Sequence, residues 1–413
     1  MKNLKVSIIG CGYISDYYAI NLINQNIEII NCFDIDLNRL TSFTKFYGLK
    51  KAFSYEEILT NKEINIIINL TPADQHFDVI RKAILHKKNI YTEKPLTLSI
   101  EESIQLTELA KEKKVHIWSA PSLIFNDFMK VFRKNFDKDF IKNNVIGYAQ
   151  FETPRLFSLD VFKWRNPSGK YWPIKSETVN GPIVEHSGYL ISLLCSLLGP
   201  IKFIDSSPLK IEDPNNKLKD IIGEPNLNLN PNHCVANLYF GNQNFVSLTI
   251  SENTLFRRSI ELHNEEKSFY VSDIRDDFCP IQFTSVNQKG YFSKRVNLFR
   301  HILNRICLFI PRSFSSAFIS ANNFNYEKLY KIPKTPIFDW LQKRKPATFH
   351  RGILAMDYMN KNFDKSFNFE DFYLHCNEVT LLLLNRCNKN KLKTTFNHDL
   401  LKKDLKKIDQ ILS

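Results

Sequence analysis

The sequence predicts an α/β fold: an N-terminal Rossmann-type, doubly wound parallel sheet, then a C-terminal α+β domain with an open, largely antiparallel sheet. Three observations predict it. Over residues 1–120, short β-rich runs alternate with longer segments of helical period, the pattern of crossover units. A glycine turn, Gly10-Cys11-Gly12, follows the first apolar run directly. From about residue 233 the apolar period becomes two, in VANLYF, NFVSLTIS, SIELHN and KSFYVS, separated by turn residues such as Gly241-Asn242 and Asn264-Glu265.

In chain order, strands are expected near 4–9, 27–33, 64–70, 89–92 and 115–119. Helices are expected at 14–25, 36–47, 55–61, 74–87 and 99–113, the last opened by Ser99 with Glu101 and Glu102 in its first turn. Composition changes after Pro121. A helix-like stretch to about 142 leads into the irregular aromatic segment FKWRNPSGKYWP at 162–173, then an apolar helix at 183–198. The final helices are expected near 347–360 and 370–386, and 391–413 reads as a basic tail helix. The implied domains are 1–120 and 121–390, the second carrying a basic insertion at about 278–345.

The chain has 413 residues, 43% hydrophobic and 24% charged, which excludes disorder as its main state. A formal charge of +13 accompanies 43 acidic residues, so the surface is mixed with a basic surplus. The eight cysteines show no C-x-x-C pair and no zinc spacing, and so read as reduced core residues of a cytoplasmic protein that binds no metal. Apolar runs such as 65–70 and 190–199 fall short of the roughly 20 residues of a spanning helix. The opening decapeptide resembles a signal peptide at its start, but Gly10 and Gly12 interrupt it, and a buried first strand is the better reading.

Gly10 permits a tight turn, and Gly12 lets the backbone approach a pyrophosphate held at the following helix N-terminus. Ser15 stands where a third glycine is usual. A bare glycine turn without ligand is the alternative. Asp34 ends the second strand at the spacing of a ribose-binding acid, which favours NAD over NADP; capping of the next helix is its ordinary alternative.

Further on come Thr-Pro-Ala-Asp-Gln-His at 71–76 and Glu-Lys-Pro at 93–95, both at strand ends, then WRNPSGKYWP at 164–173, NGPIVEHSGYLISLLCSLLGP at 180–200, and HRGILAMDYM at 350–359 followed by His375 and Glu378. With the glycine turn, these resemble the glucose-fructose oxidoreductase and inositol dehydrogenase (Gfo/Idh/MocA) family of nicotinamide-dependent oxidoreductases. The resemblance implies that Gly10, Cys11, Gly12, Tyr13 and Ile14 cradle the pyrophosphate, and that Asp34 holds the adenosine ribose. It puts Thr71, Pro72 and His76 toward the nicotinamide side, with Glu93 and Lys94 beside the nicotinamide ribose and the substrate hydroxyl. Lys94 would stabilise the changing charge on a carbinol oxygen, and Lys94-Pro95 is a candidate cis bond. In the commoner family pattern an Asp, a Gly and a His face the substrate; here those positions are Glu185, Ser187 and Tyr189. Tyr189 is then the proton donor, unless it and Glu185 only pack within the core. His186 is left structural, about 100° away around the helix. Trp164, Arg165 and Lys170 are candidates for orienting a sugar, with loop packing as their alternative.

Phe278 to Tyr326 contains no Asp or Glu, and its segment VNLFRHILNRICLFIP suits a helix covering the protein's own sheet, a subunit partner or, less readily, a membrane surface. No nucleic-acid motif accompanies it. The expected function is an NAD-dependent oxidoreductase acting on CH–OH groups of a sugar, nucleotide-sugar or polyol, as a homo-oligomer. The alternatives are a glycosidase or lyase with transient oxidation and a noncatalytic NAD-binding scaffold.

Overall fold

A computed structural model describes residues 4–135, 140, 144–154, 164–212, 223, 229–252, 257–275, 281–287, 290–295, 349–362 and 367–412. The first unit is a five-stranded parallel sheet of β1 (Lys5–Ile9), β2 (Glu28–Phe33), β3 (Ile66–Asn69), β4 (Asn89–Thr92) and β5 (Ile117–Ser119), in the order β2-β1-β3-β4-β5. Its helices are α1 (Ser15–Asn24), α2 (Leu37–Tyr47), α3 (Tyr55–Thr60), α4 (His76–Leu85) and α5 (Ile100–Lys113), close to the expected ranges. Side chains Ser54, Asp36 and Ser99 cap α3, α2 and α5 by accepting first-turn amide hydrogens. Both faces of this sheet are covered, which is why β3 reads Ile66-Ile67-Ile68 without alternation. Ile67, Ile90 and Ile117 meet Ile80, Ile84 and Leu106 on one side. On the other, Val6, Ile8, Ile68, Tyr91 and Trp118 run into the core of the second unit.

That second unit is a nine-stranded sheet in the order β13-β12-β11-β10-β6-β9-β8-β7-β14. Its strands are β6 (Ile146–Glu152), β7 (Phe203–Leu209), β8 (His233–Tyr239), β9 (Phe245–Ser251), β10 (Arg257–His263), β11 (Lys267–Val271), β12 (Ile281–Asn287), β13 (Gly290–Arg295) and β14 (Cys387–Lys391). Only the β6–β9 pairing is parallel. The four expected strands are β8 to β11. Sequence reading missed β6, β7, β12, β13 and β14: β6 alternates clearly but follows a helical pattern, β7 carries Pro208 within a polar run, β12 and β13 fall in the stretch read as a basic insertion, and β14 is CNKNK, a short polar edge. Of the helix expected to about 142, the described residues show a 3-10 turn, Leu123–Phe125, and then α6 (Asp127–Asn135). The tail forms β14 before α10 (His398–Ile411), so helix replaces only part of 391–413. The helix expected within 297–309 lies outside the described residues.

One face of the nine-stranded sheet is covered by α7 (Ile174–Leu198), with Ile183, Leu190, Leu193 and Leu194 sharing a core with Phe151, Leu248 and Ile250. Burying each such side chain contributes roughly 2 kcal/mol. By length and composition α7 could cross a membrane, but 83% of its apolar window is inside the protein. It is also broken at Gly181, whose φ of +70° and ψ of 170° end one helical stretch before Pro182 opens the next. Helices α8 (Phe349–Asn362) and α9 (Phe369–Leu382) fill the seam between the units; Trp118 and Phe369 lie 4.2 Å apart by ring centroid. The sheet's opposite face leaves Ile146, Tyr148, Val235 and Tyr270 exposed. The described cysteines, Cys11, Cys32, Cys195, Cys234, Cys376 and Cys387, are free and buried, as expected of core residues; Cys279 and Cys307 lie outside the described residues.

Candidate functional site

The glycine turn passes directly from β1 into α1. Gly10 has φ +88°, and a Cβ there would lie 2.6 Å from the Leu70 carbonyl, so β3 and the turn meet only through glycine. At Gly12, by contrast, no protein atom lies within 4 Å of a Cβ position. That open space fits a bound pyrophosphate, and α1 begins here with no side chain capping it. Ser15 donates to the Gly12 carbonyl at 2.7 Å, so it braces the turn.

Asp34 is buried beside the turn. Its Oδ2 accepts from the Cys11 amide at 2.8 Å and its Oδ1 from the Asp36 amide at 2.8 Å; Asp36, not Asp34, caps α2. Sequence reading missed Arg39, which grips both Asp34 oxygens through Nε at 3.2 Å and Nη2 at 3.0 Å. An arginine at the ribose position is the group that accommodates a 2′-phosphate, so this arrangement fits either dinucleotide and the expected preference for NAD is not carried by it.

The aromatic segment docks on this same end. Asn166 donates to the carbonyls of Gly12 (3.3 Å) and Tyr13 (3.0 Å) and to Asp16 Oδ2 (2.6 Å). Ser168 donates to Asp16 through its amide (2.7 Å) and hydroxyl (2.8 Å), and the Tyr47 hydroxyl donates to Asp16 Oδ1 (2.9 Å). Burial raises the Asp16 carboxyl, while these bonds act to lower it. Lys170 donates to Ser168 at 2.8 Å and lies 5.3 Å from the Phe43 ring, on the Asp16 and Asp34 side. Its contacts are thus with this turn and not with the Lys94 group. Arg165 bonds the Tyr171 hydroxyl and stacks on its ring at 4.1 Å, and Trp164 packs on Trp172, the loop-packing alternative for both.

At the neighbouring strand ends, Thr71 donates to Asn69 Oδ1 at 2.7 Å, just before Pro72. His76 is buried with its ring nitrogens 3.0 Å and 2.7 Å from the Thr71 and Pro95 carbonyls, so it braces the two loops. Burial holds its imidazole below the usual range. Glu93 Oε1 accepts from the buried Tyr18 hydroxyl at 2.7 Å, a partner the sequence did not disclose. The Lys94–Pro95 peptide is cis.

Lys94 pairs with Glu185 Oε2, and Asn180 donates to Glu185 Oε1 at 2.9 Å. Burial opposes the ammonium charge, but Glu185, with Glu177, Tyr189 and Glu93, raises its pKa above the usual lysine value. Tyr189 lies one turn beyond Glu185 on α7, stacks on Phe151 at 5.5 Å, and has the Arg275 guanidinium 5.4 Å from its ring centre. His186 stacks on Phe151 at 4.6 Å. The break at Gly181 brings Asn180 back toward Glu185, which no simple helical spacing could disclose. Lys94, Glu185 and Tyr189 are thus brought together, while Trp164, Arg165 and Lys170 are not part of that group.

The family described as an oxidoreductase family with an NAD-binding Rossmann fold matches residues 4–120. An uncharacterized oxidoreductase of Synechocystis is 27% identical over 236 residues, covering 54% of this chain and 60% of its own length. The NAD-dependent scyllo-inositol 2-dehydrogenase of Bacillus subtilis is 32% identical over 115 residues, 27% of this chain and 34% of its own. The chain thus spans less than two thirds of either relative. A 3-ketoreductase from Actinomadura kijaniata, solved with TDP-benzene and NADP, shares the fold at TM-score 0.61 and 12% identity, over 92% of this chain and 97% of that one.

Proposed function

Because the chain belongs to the Gfo/Idh/MocA oxidoreductase family, we propose that it is an NAD(P)-dependent oxidoreductase acting at a carbinol carbon of a sugar, nucleotide-sugar or related polyol. The observation that carries this reading is the buried pair of Lys94, from the end of β4, with Glu185 of α7, and Tyr189 one turn away. Bound NAD(P) supplies the hydride acceptor or donor. Around it, Gly10, Cys11, Gly12, Tyr13 and Ile14 form the pyrophosphate cradle, and Asp34 with Arg39 faces the adenosine ribose. Thr71, Pro72 and Glu93 line the nicotinamide side, with His76 holding their loops together.

Lys94 does the electrostatic work. Its ammonium, kept charged by Glu185, stabilises oxyanion character on the substrate oxygen, and Glu185 keeps the amine pointed. Tyr189 exchanges the hydroxyl proton. Arg275, next to Tyr189, takes over the substrate-orienting role that the sequence assigned to Lys170, and its charge suits an anionic sugar or nucleotide-sugar. Asp34 suits the free ribose hydroxyls of NAD and Arg39 a 2′-phosphate, so either dinucleotide is a candidate cofactor. The cysteine usage supports a cytoplasmic protein, and the exposed sheet face with Ile146, Tyr148, Val235 and Tyr270 supports a homo-oligomer joined there.

The test is a screen of sugars, polyols, nucleotide-sugars and their keto forms with NAD(H) and NADP(H), read by nicotinamide absorbance. Lys94→Ala should lower kcat by about 10²-fold or more while dinucleotide affinity stays within a few-fold. Equal turnover by wild type and Lys94→Ala refutes the assignment.

A further inference from the structure

We propose that Asn180 is a positioning residue of the reaction: by holding the second oxygen of Glu185 it fixes the carboxylate that aims the Lys94 ammonium, without touching substrate. The inference rests on the oxidoreductase reading above. Asn180 Nδ2 donates to Glu185 Oε1 at 2.9 Å, while Glu185 Oε2 pairs with Lys94. A carboxylate held at one oxygen still turns about its last side-chain torsion, which has no sharp staggered wells. Held at both, it presents one edge to the amine. The Asn180 amide stands this way round because, turned over, its own oxygen would face the Glu185 carboxylate, acceptor against acceptor.

The backbone is shaped for this contact. Five residues apart on a continuous helix, Asn180 and Glu185 would point about 140° away from each other. Gly181, with φ +70° and ψ 170°, breaks the phase and turns Asn180 onto Glu185. Loop 229–231 then straps the end of the first helical stretch: Asn230 donates its backbone N–H to the Val179 carbonyl at 3.2 Å and its side-chain NH₂ to the Asn180 carbonyl at 3.1 Å. The Pro231 carbonyl comes so near Gly181 that a Cβ there would lie 3.1 Å from it. The backbone under the Asn180 side chain is therefore fixed from outside the helix, and its reach to Glu185 with it.

Glu185 is buried and Asn180 half-buried, so water competes little for the bond. The charged and titratable groups around it are Glu185 itself, Lys94 from the end of β4, and Glu177, Tyr189 and Glu93, which act on the same ammonium; the strap, Leu229-Asn230-Pro231, adds none. An uncharged donor is what this place requires. A carboxylate would repel Glu185, and a cation would compete with Lys94 for it.

Asn180→Asp keeps the shape and makes the donor switchable: protonated, the acid O–H takes the place of the amide, and ionised, it repels Glu185. With the full chain and a substrate found in the screen above, Asn180→Ala should lower kcat about tenfold while dinucleotide Kd stays within about twofold of wild type. The ratio of Asn180→Asp to wild-type kcat should fall about tenfold between about pH 5 and pH 8, whereas the ratio for Asn180→Ala stays level. A level ratio for Asn180→Asp, or wild-type kcat in Asn180→Ala, overturns the proposal. Without substrate, a double-mutant cycle of Asn180→Ala and Glu185→Ala in urea unfolding should show coupling of about fivefold or more in the unfolding constant. Additive losses mean that Asn180 does not hold Glu185, and overturn it as well. Wild-type inactivity toward every carbonyl and carbinol tested, with that coupling intact, would overturn the oxidoreductase reading and leave the hold on Glu185 standing.

Discussion

Replacing Asp16 by alanine should unlatch the 164–172 segment from the glycine turn. The carboxylate accepts four hydrogen bonds, from Tyr47, the Asn166 amide group and both the amide and hydroxyl of Ser168. A hydrogen bond to a charged group contributes about 1.5–3 kcal/mol, and the orphaned donors would each carry a desolvation penalty. Against this stands the cost of burying the charge, visible in the direction of the Asp16 shift. The net loss should be about 3–5 kcal/mol, the sum of several orphaned donors at roughly 1–3 kcal/mol each less the relief of no longer burying a charge. Asp16→Asn should also destabilise, by about 2–3 kcal/mol: in either flip its NH₂ meets the Asn166 NH₂ or the Ser168 amide, donor against donor. Urea unfolding of both variants reads the loss. Because Asn166 also holds the Gly12 and Tyr13 carbonyls, dinucleotide affinity should fall with stability. Asp16→Ala within about 0.5 kcal/mol of wild type, with unaltered NAD(P) binding, would refute the latch.

The two turn glycines should separate binding from folding. Gly12→Ala should leave the unfolding midpoint within about 0.5 kcal/mol while weakening NAD(P) binding at least tenfold, since its Cβ meets only the cradle space; Gly10→Ala should cost about 2 kcal/mol or more of stability through its clash with Leu70 and its positive φ. Equal binding by wild type and Gly12→Ala would show that no pyrophosphate lies there. Arg39→Ala should lower affinity for NADP relative to NAD by roughly five- to thirtyfold, the worth of about 1–2 kcal/mol for a half-exposed guanidinium–phosphate contact, measured by titration of each cofactor. A ratio unchanged within twofold would free Arg39 of any role in selection. His350 and His398, buried neutral, have pKa values pushed down to about 4. Their contribution is therefore present above the unfolded value near 6.5 and lost as pH falls through about 4, roughly 2–3 kcal/mol each by pH 4.5. His398→Gln should show a correspondingly smaller drop in urea stability between pH 7 and 4.5; an unchanged drop would mean that His398 charges freely in the folded state.

The Rossmann half was legible because each of its signals is local. The β1 run, the glycines after it, the capping residues Ser54 and Ser99 and the Ile triplet of β3 all act within a few residues, and the strands and helices fall close to where those signals put them. The Lys94–Glu185 pair was legible in part for the same reason: both residues stand in recognisable local motifs. What the sequence hid were partners fixed by tertiary approach. Asn166 meets Asp16 across 150 positions, Tyr18 meets Glu93 across 75, and Arg39 turns back on Asp34 only because Asp36 starts α2 in the right direction. Lys170 shows the cost most clearly. Read as a sugar donor because its segment approaches the active site in relatives, it is carried instead to the Asp16 side of the glycine turn, which Asn166 and Ser168 anchor. Asn180 was hidden by the opposite cause, a break inside a helix: Gly181, with positive φ, resets the helical phase, so counting residues back from Glu185 gives the wrong face. If that reset is what assembles the site, Gly181→Ala should straighten or strain α7. Turnover should fall further than stability, because the Asn180 contact with Glu185 depends on the break while the core under Ile183 to Leu198 does not. A variant that loses stability and activity in the same proportion would make Gly181 a folding residue only.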